Sequence, residues 1–143
     1  MRQKITVFIR FALLIFWMGL IFYFSHQTAE VSSGQSGRLV MFLNEIFGDT
    51  LYYEITEGII RKAAHFFIYF VLGILVYNSL GRLKGINFWL VLLFCSLYAA
   101  SDEIHQTFVS GRAGMVGDVI LDSCGALLGM IIYKKIRKGS REK

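Results

Sequence analysis

Apolar residues fall along the chain in four blocks, with polar residues gathered at their edges. The first, residues 5–24, is interrupted only by Thr6 and Arg10. At about 1.5 Å per residue it covers the roughly 30 Å hydrocarbon core of a bilayer. It is too long for a typical signal-peptide core, and no small-x-small cleavage site follows, so an uncleaved span is expected and a cleaved leader is the alternative. Arg10 would reach back toward Arg2 and Lys4. Three further apolar runs occupy residues 66–80, 86–100 and 119–133. Each is about 22 Å long as a helix, short of the membrane thickness. The loop 81–85 is too short to hold the missing turns, and residues from 134 onward are densely basic. The missing length must come from the other ends, giving spans at about 62–80, 86–105 and 115–133. That extension brings three polar clusters to one side of the membrane: residues 61–65, residues 101–112, and Asp118 with Asp122.

Between the first two spans, Ser32, Ser33, Gly34, Gln35, Ser36 and Gly37 read as a loop by composition. An amphipathic pattern follows, with Leu39, Phe42, Leu43, Ile46 and Phe47 on one face and Gly48 as a stop. About nine residues cannot cross a bilayer, so this helix is expected on the membrane surface or against the bundle. Leu51, Ile55 and Ile59 then form an i, i+4 stripe that leads into the second span. Gly125 and Gly129 give the last span a small-xxx-small face suited to close helix packing. The expected fold is an all-α membrane protein: a bundle of four transmembrane helices with a short amphipathic outer helix between spans 1 and 2. Residues 1–143 are expected to form a single domain ending in a basic cytoplasmic tail, 134–143.

Composition sharpens this picture. The chain has 143 residues, 55% of them hydrophobic, and carries a net charge of +5. Its basic residues, except for Arg38, Arg61, Lys62 and Arg112, lie at the N-terminus, in the 81–85 loop and in the C-terminal tail. Basic segments flanking apolar spans set topology, so both termini are expected in the cytoplasm, with the polar clusters on the outer face of the cytoplasmic membrane. The same distribution argues against a nucleic-acid partner. Cys95 and Cys124 fall inside apolar runs and make neither a zinc spacing nor a disulfide framework. The chain has no proline, so no helix is obliged to kink for that reason.

With these clusters in place, the chain resembles the VanZ-like family of small bacterial membrane proteins. The resemblance rests on Arg61-Lys62-Ala63-Ala64-His65 running into Phe66 to Gly73, on Ser101-Asp102-Glu103-Ile104-His105-Gln106-Thr107-Phe108-Val109-Ser110-Gly111-Arg112, and on Asp118 to Gly129. Phe24-Ser25-His26-Gln27 is similar to the family's exit from the first helix. The likeness runs from about residue 10 to residue 133. Two positions depart from it: Asp122 stands where the family often has asparagine, and Ile68 where a glutamate commonly precedes the tyrosine. The resemblance implies a role at the cell envelope and a link to teicoplanin and other glycopeptide antibiotics, without supplying a mechanism.

On helices, Arg61, His65 and Tyr69 share a face at i, i+4 spacing, Asp102 lies with His105 and Gln106, and Asp118 with Asp122. The candidate binding set is Arg61, Lys62, His65, Asp102, Glu103, His105, Gln106, Arg112 and Asp118. Three readings of it compete. In the first, the charges satisfy one another and hold helices together, a role that suits Asp122 best. In the second, Arg61, Lys62 and Arg112 hold a phosphate or carboxylate of a cell-wall precursor, or a glycopeptide, in a pocket opening outward. The third is a membrane enzyme acting on a lipid-linked or cell-wall substrate, with His65, Asp102 and His105 as candidates for an acid–base pair or a metal site. The chain has no His-Glu-x-x-His pattern and no nucleophile elbow. No cofactor and no metal ligand set is assigned. The lipid bilayer is the expected partner; the oligomeric state does not follow from the pattern.

Overall fold

The computed structural model describes residues 1–47 and 57–139. Five helices account for nearly all of them: α1 (Arg2–Ser25), α2 (Ala29–Phe47), α3 (Glu57–Ser79), α4 (Phe88–Gln106) and α5 (Val116–Gly139). A short 3-10 turn, Leu80–Arg82, ends α3. Among the described residues, four segments are long and apolar enough to cross a membrane: Gln3–Ser25, Gly58–Arg82, Phe88–Gln106 and Val116–Gly139. The protein is an all-α membrane bundle. The stop at Gly48, the Leu51 and Ile55 positions of the stripe, and tail residues 140–143 lie outside the described residues.

The helices are dressed in apolar side chains on the outside. Phe8, Ile15 and Phe16 on α1, Trp89, Leu93 and Leu97 on α4, and Ile120 on α5 are all exposed. In water such a surface would drive aggregation; in lipid it is the proper solvent-facing layer. The core lies along the bundle axis, where Leu14 and Ile21 of α1 meet Tyr69, Leu72 and Val76 of α3, Val91, Cys95 and Ala99 of α4, and Ala126 and Met130 of α5.

Helix α3 is the central post, and α5 is its most intimate neighbour. The reason is glycine. A Cβ added at Gly125 would strike the carbonyl of Phe66, one at Gly129 the carbonyl of Phe70, and one at Gly73 the backbone of Ala126. The two backbones therefore touch with no side chain between them, which is how helices gain dispersion contact where lipid offers no hydrophobic driving force. Helix α1 is attached differently, through side-chain donors that bond to carbonyls already inside helices. Trp17 Nε1 donates to Ile68 O (3.0 Å), Tyr98 Oη to Met18 O (2.8 Å) and Ser79 Oγ to Arg10 O (3.4 Å).

Two elements differ from the pattern reading. Helix α4 starts at Phe88, because Asn87 caps it by accepting from Leu90 N–H at 2.9 Å. Helix α2 begins at Ala29 and absorbs the Ser/Gly stretch expected to be a loop. The serines are tolerated because their hydroxyls bond locally: Ser36 Oγ donates to Ser32 O at 3.1 Å. Ser36 and Val40, one turn apart, are both buried, and α2 packs on α3. Thr28 Oγ1 accepts from Val31 N–H at the start of the helix, and Ala29 N–H donates to Ser110 O at 3.2 Å, tying α2 to the α4–α5 loop.

Candidate functional site

The polar residues converge at the end of the bundle where α1 and α4 finish and α3 and α5 begin. At this end α4 turns inward three polar side chains that are all buried, Asp102, Glu103 and Gln106. They satisfy one another: Gln106 Nε2 donates to Asp102 Oδ2 (3.3 Å) and to Glu103 Oε1 (3.0 Å). Glu103 Oε2 in turn accepts the backbone N–H of Met115 at 2.9 Å. Gly114 makes that approach possible, since a Cβ there would meet the Glu103 carbonyl. Glu103 is thus held at both oxygens, by its own helix and by the strand of chain leading into α5.

Arg112 reaches across the bundle to α1. Its Nη1 donates to the carbonyls of Phe24 (3.3 Å), Ser25 (3.2 Å) and Gln27 (3.5 Å). Phe24 and Ser25 close α1 and Gln27 follows it, at a helix end whose dipole favours a cation; the Phe24 carbonyl also accepts from Gln27 N–H at 3.3 Å. Gly111, with φ +74°, turns the loop so that Arg112 points inward. Burial, and then the nearby Arg61 charge, pull the Arg112 guanidinium below its ordinary pKa, while Asp102, Glu103 and Asp118 act in the opposite sense.

On α3, Lys62 is largely exposed and pairs with Asp118 of α5 at 3.7 Å. His65, one turn further in than Arg61, directs Nδ1 toward Asp122 Oδ2 at 3.6 Å. That is an ion-pair distance, too long for a hydrogen bond. The acid beside His65 is therefore Asp122 rather than Asp102. His105 does not join the group. It faces α1, with Nε2 3.1 Å from His26 Nδ1 and its ring packed on Phe22.

Two pockets open here, side by side. The polar one, about 170 Å³, is lined by Arg61, Lys62, His65, Gln106, Arg112 and Asp118, among others. Its neighbour, about 250 Å³, runs between α1, α2 and α3 past Phe24, Leu39, Ile60, Ala64 and Ile68. Arg61, His65 and Arg112 line both. The first offers cationic donors, the second an apolar wall. Ile68, the position where the resemblance leads one to expect glutamate, contributes to that wall.

Of the residues singled out by pattern, Arg61, Lys62, His65, Gln106, Arg112 and Asp118 meet at the polar pocket; Asp102 and Glu103 buttress it from behind; His105 lies apart. Pattern reading left Asp122 out of the binding set, as a helix-to-helix contact. Yet among the described residues the buried side-chain polar atoms without a hydrogen-bond partner are Ser25 Oγ, Tyr69 Oη and both oxygens of Asp122. Ser25 and Asp122 belong to this end of the bundle, and Tyr69 lies one turn beyond His65, near the middle of α3. The advance signals for Asp122 were its i, i+4 spacing from Asp118 and its departure from the asparagine of the resembled family.

No curated protein and no solved structure matches the chain. A family profile, VanZ/LLP1, matches residues 10–137. It takes in α3 and α4 whole, most of α1 and α5, and every residue that lines the two pockets, and the chain belongs to the VanZ/LLP1 family.

Proposed function

We propose that this protein binds an anionic, lipid-linked component of the cell envelope at the outer leaflet, holding its charged group in the polar pocket and its chain along the apolar one. The carrying observation is that Arg61, His65 and Arg112 line two adjoining pockets of opposite character. A phosphate or carboxylate suits the guanidinium groups of Arg61 and Arg112, which oppose each other's charge, with the Lys62 ammonium, paired to Asp118, beside them. An isoprenoid or acyl chain suits Phe24, Leu39, Ile60 and Ile68. The basic residues at the opposite end of the bundle favour cytoplasmic termini, which supports an outward-facing site. A wall precursor held there would be shielded from glycopeptides, giving the teicoplanin link implied by the resemblance a physical route.

The test is binding of a polyprenyl phosphate, against the matching uncharged polyprenol, to the purified protein in nanodiscs. The phosphate should bind more tightly. Arg61→Ala should weaken it by about tenfold or more, the worth of one charge-assisted hydrogen bond. Equal binding of the two lipids, or an Arg61→Ala protein that binds normally, would sink the reading. In cells, the wild type should lower surface binding of fluorescent teicoplanin, and Arg61→Ala at equal membrane abundance should not.

A second reading, an enzyme acting on such a lipid through an acid–base pair, is favoured by one contact, His65 with Asp122. It predicts turnover of the bound lipid that His65→Gln abolishes while binding persists.

A further inference from the structure

We propose that His65, Glu103 and Asp122 form a binding site for one divalent transition-metal ion at the floor of the polar pocket. Three helices each supply one donor: α3 the imidazole, α4 and α5 a carboxylate. One ligand atom from each lies within 4.8 Å of the other two. Donors around an ion at about 2.0–2.2 Å are spaced roughly 3–4.4 Å apart. The His65–Asp122 separation of 3.6 Å already falls in that range, and the Glu103 carboxylate closes on an ion by side-chain movement alone.

Asp122 supplies the independent observation. Its side chain has no solvent exposure, and neither of its oxygens has a hydrogen-bond partner among the described residues. A carboxylate taken out of water without hydrogen bonds is among the most costly groups a fold can hold, and its one neighbour of opposite character is the His65 ring at 3.6 Å. Asp122 stands there between the glycine-tight backbones of α3 and α5, aimed at His65. A divalent ion bound by two carboxylates and a neutral imidazole makes a neutral unit, which suits a low-dielectric interior.

The surroundings fit as well. Metal ligands need second partners that fix their orientation. Glu103 has two, Gln106 Nε2 and Met115 N–H, and Gln106 is itself braced on Asp102. An entry path exists, since His65, Gln106 and Met115 all line the polar pocket. The donor set selects the ion class. One nitrogen and two carboxylate oxygens suit Zn²⁺, Mn²⁺ or Fe²⁺; an all-oxygen cage would suit Ca²⁺ or Mg²⁺, and a thiolate would suit copper(I). Three protein ligands also leave a coordination position facing the pocket. This site goes beyond the lipid-binding reading, because its ligands are not the cations that would hold an anion, and it is testable with metal alone.

The experiment is equilibrium dialysis of chelator-stripped protein in nanodiscs against Zn²⁺ and Mn²⁺, read by elemental analysis, with Co²⁺ absorption to report on the ligand set. About one ion per chain should bind, with Mg²⁺ failing to compete. Asp122→Asn and His65→Gln should each weaken binding by about tenfold or more and change the Co²⁺ spectrum. His26→Gln and His105→Gln should leave both unchanged, which separates this site from surface binding at that histidine pair. Should Asp122→Asn not fold, His65→Gln and Glu103→Gln carry the test. Failure of the wild type to bind either ion, binding indifferent to His65→Gln, or binding lost with His105→Gln would each overturn the proposal. Lipid binding measured on the metal-free protein keeps the two ideas apart: either can fail alone.

Discussion

The two ends of the bundle treat polar side chains in opposite ways. At the basic end, polar groups are partnered and close to water. Arg82 Nη2 donates to Asn78 Oδ1 and Tyr133 Oη, Tyr133 Oη donates to Asn78 Oδ1, and Lys134 lies over the Phe88 ring at 5.4 Å. At the other end, Asp102, Glu103, Gln106 and Asp122 are buried, and Asp122 has no hydrogen bond. The first arrangement is what a membrane protein needs in order to sit at an interface. The second costs stability, and such groups persist where they have a ligand or a reaction to serve. The contrast supports the proposed site at the polar end without reference to any motif.

Variants can break or sharpen that contrast. The largest effect is expected where both ends share a support. Gly129→Leu would drive a side chain into the Phe70 carbonyl on α3. It should cost at least about 3 kcal/mol and abolish folded protein on size exclusion and thermal unfolding, whichever end is probed. A protein that stayed folded with its melting temperature unchanged would show that the α3–α5 contact is looser than the backbone apposition indicates.

Next in size, Arg112→Ala removes a donor shared by three carbonyls at the end of α1, and should cost about 1.5–3 kcal/mol in thermal unfolding. Arg82→Ala, whose bonds are exposed, should cost under about 1 kcal/mol. Equal losses would erase the distinction between the two arginines.

The smallest effects are expected to differ in sign. Tyr133→Phe removes a satisfied hydrogen bond at the basic end and should cost about 1 kcal/mol. Asp122→Asn, measured on metal-free protein, removes an unpartnered buried carboxylate and should be neutral or stabilising, by up to about 2 kcal/mol. If Asp122→Asn destabilises the metal-free chain more than Tyr133→Phe does, then Asp122 is a structural partner of His65, and the contrast between the ends is lost.

Much of this was legible from residue order. The convergence of three clusters followed from a length argument: a five-residue loop at 81–85 and a basic tail left only one direction in which short apolar runs could grow. Helix α2 was harder to read. Serine and glycine counted locally suggest a loop, whereas burial of Ser36 and Val40 against α3 decides for helix, and burial is not a local property. His105 was misplaced by rotation. It sits about 60° behind Asp102 around α4, while Gln106 and Glu103 sit about 40° and 100° ahead of it; the pocket lies on their side and α1 on the other. Asp122 was visible as an i, i+4 mate of Asp118, about 6 Å deeper. That it would lack a partner depends on what α3 presents to it, and no pattern along one helix reveals that.

The hold of Arg112 on α1 has a consequence for how the molecule is made. Helix α1 ends in carbonyls that share a donor lying 85 to 88 residues further along the chain. Until the loop after α4 is in place, the carbonyls of Ser25 and Gln27 depend on water or lipid headgroups for the donor that Arg112 later supplies. The arginine thus acts as a latch closed late in biogenesis, and a nascent chain arrested before residue 112 would present α1 with its last turn unsealed.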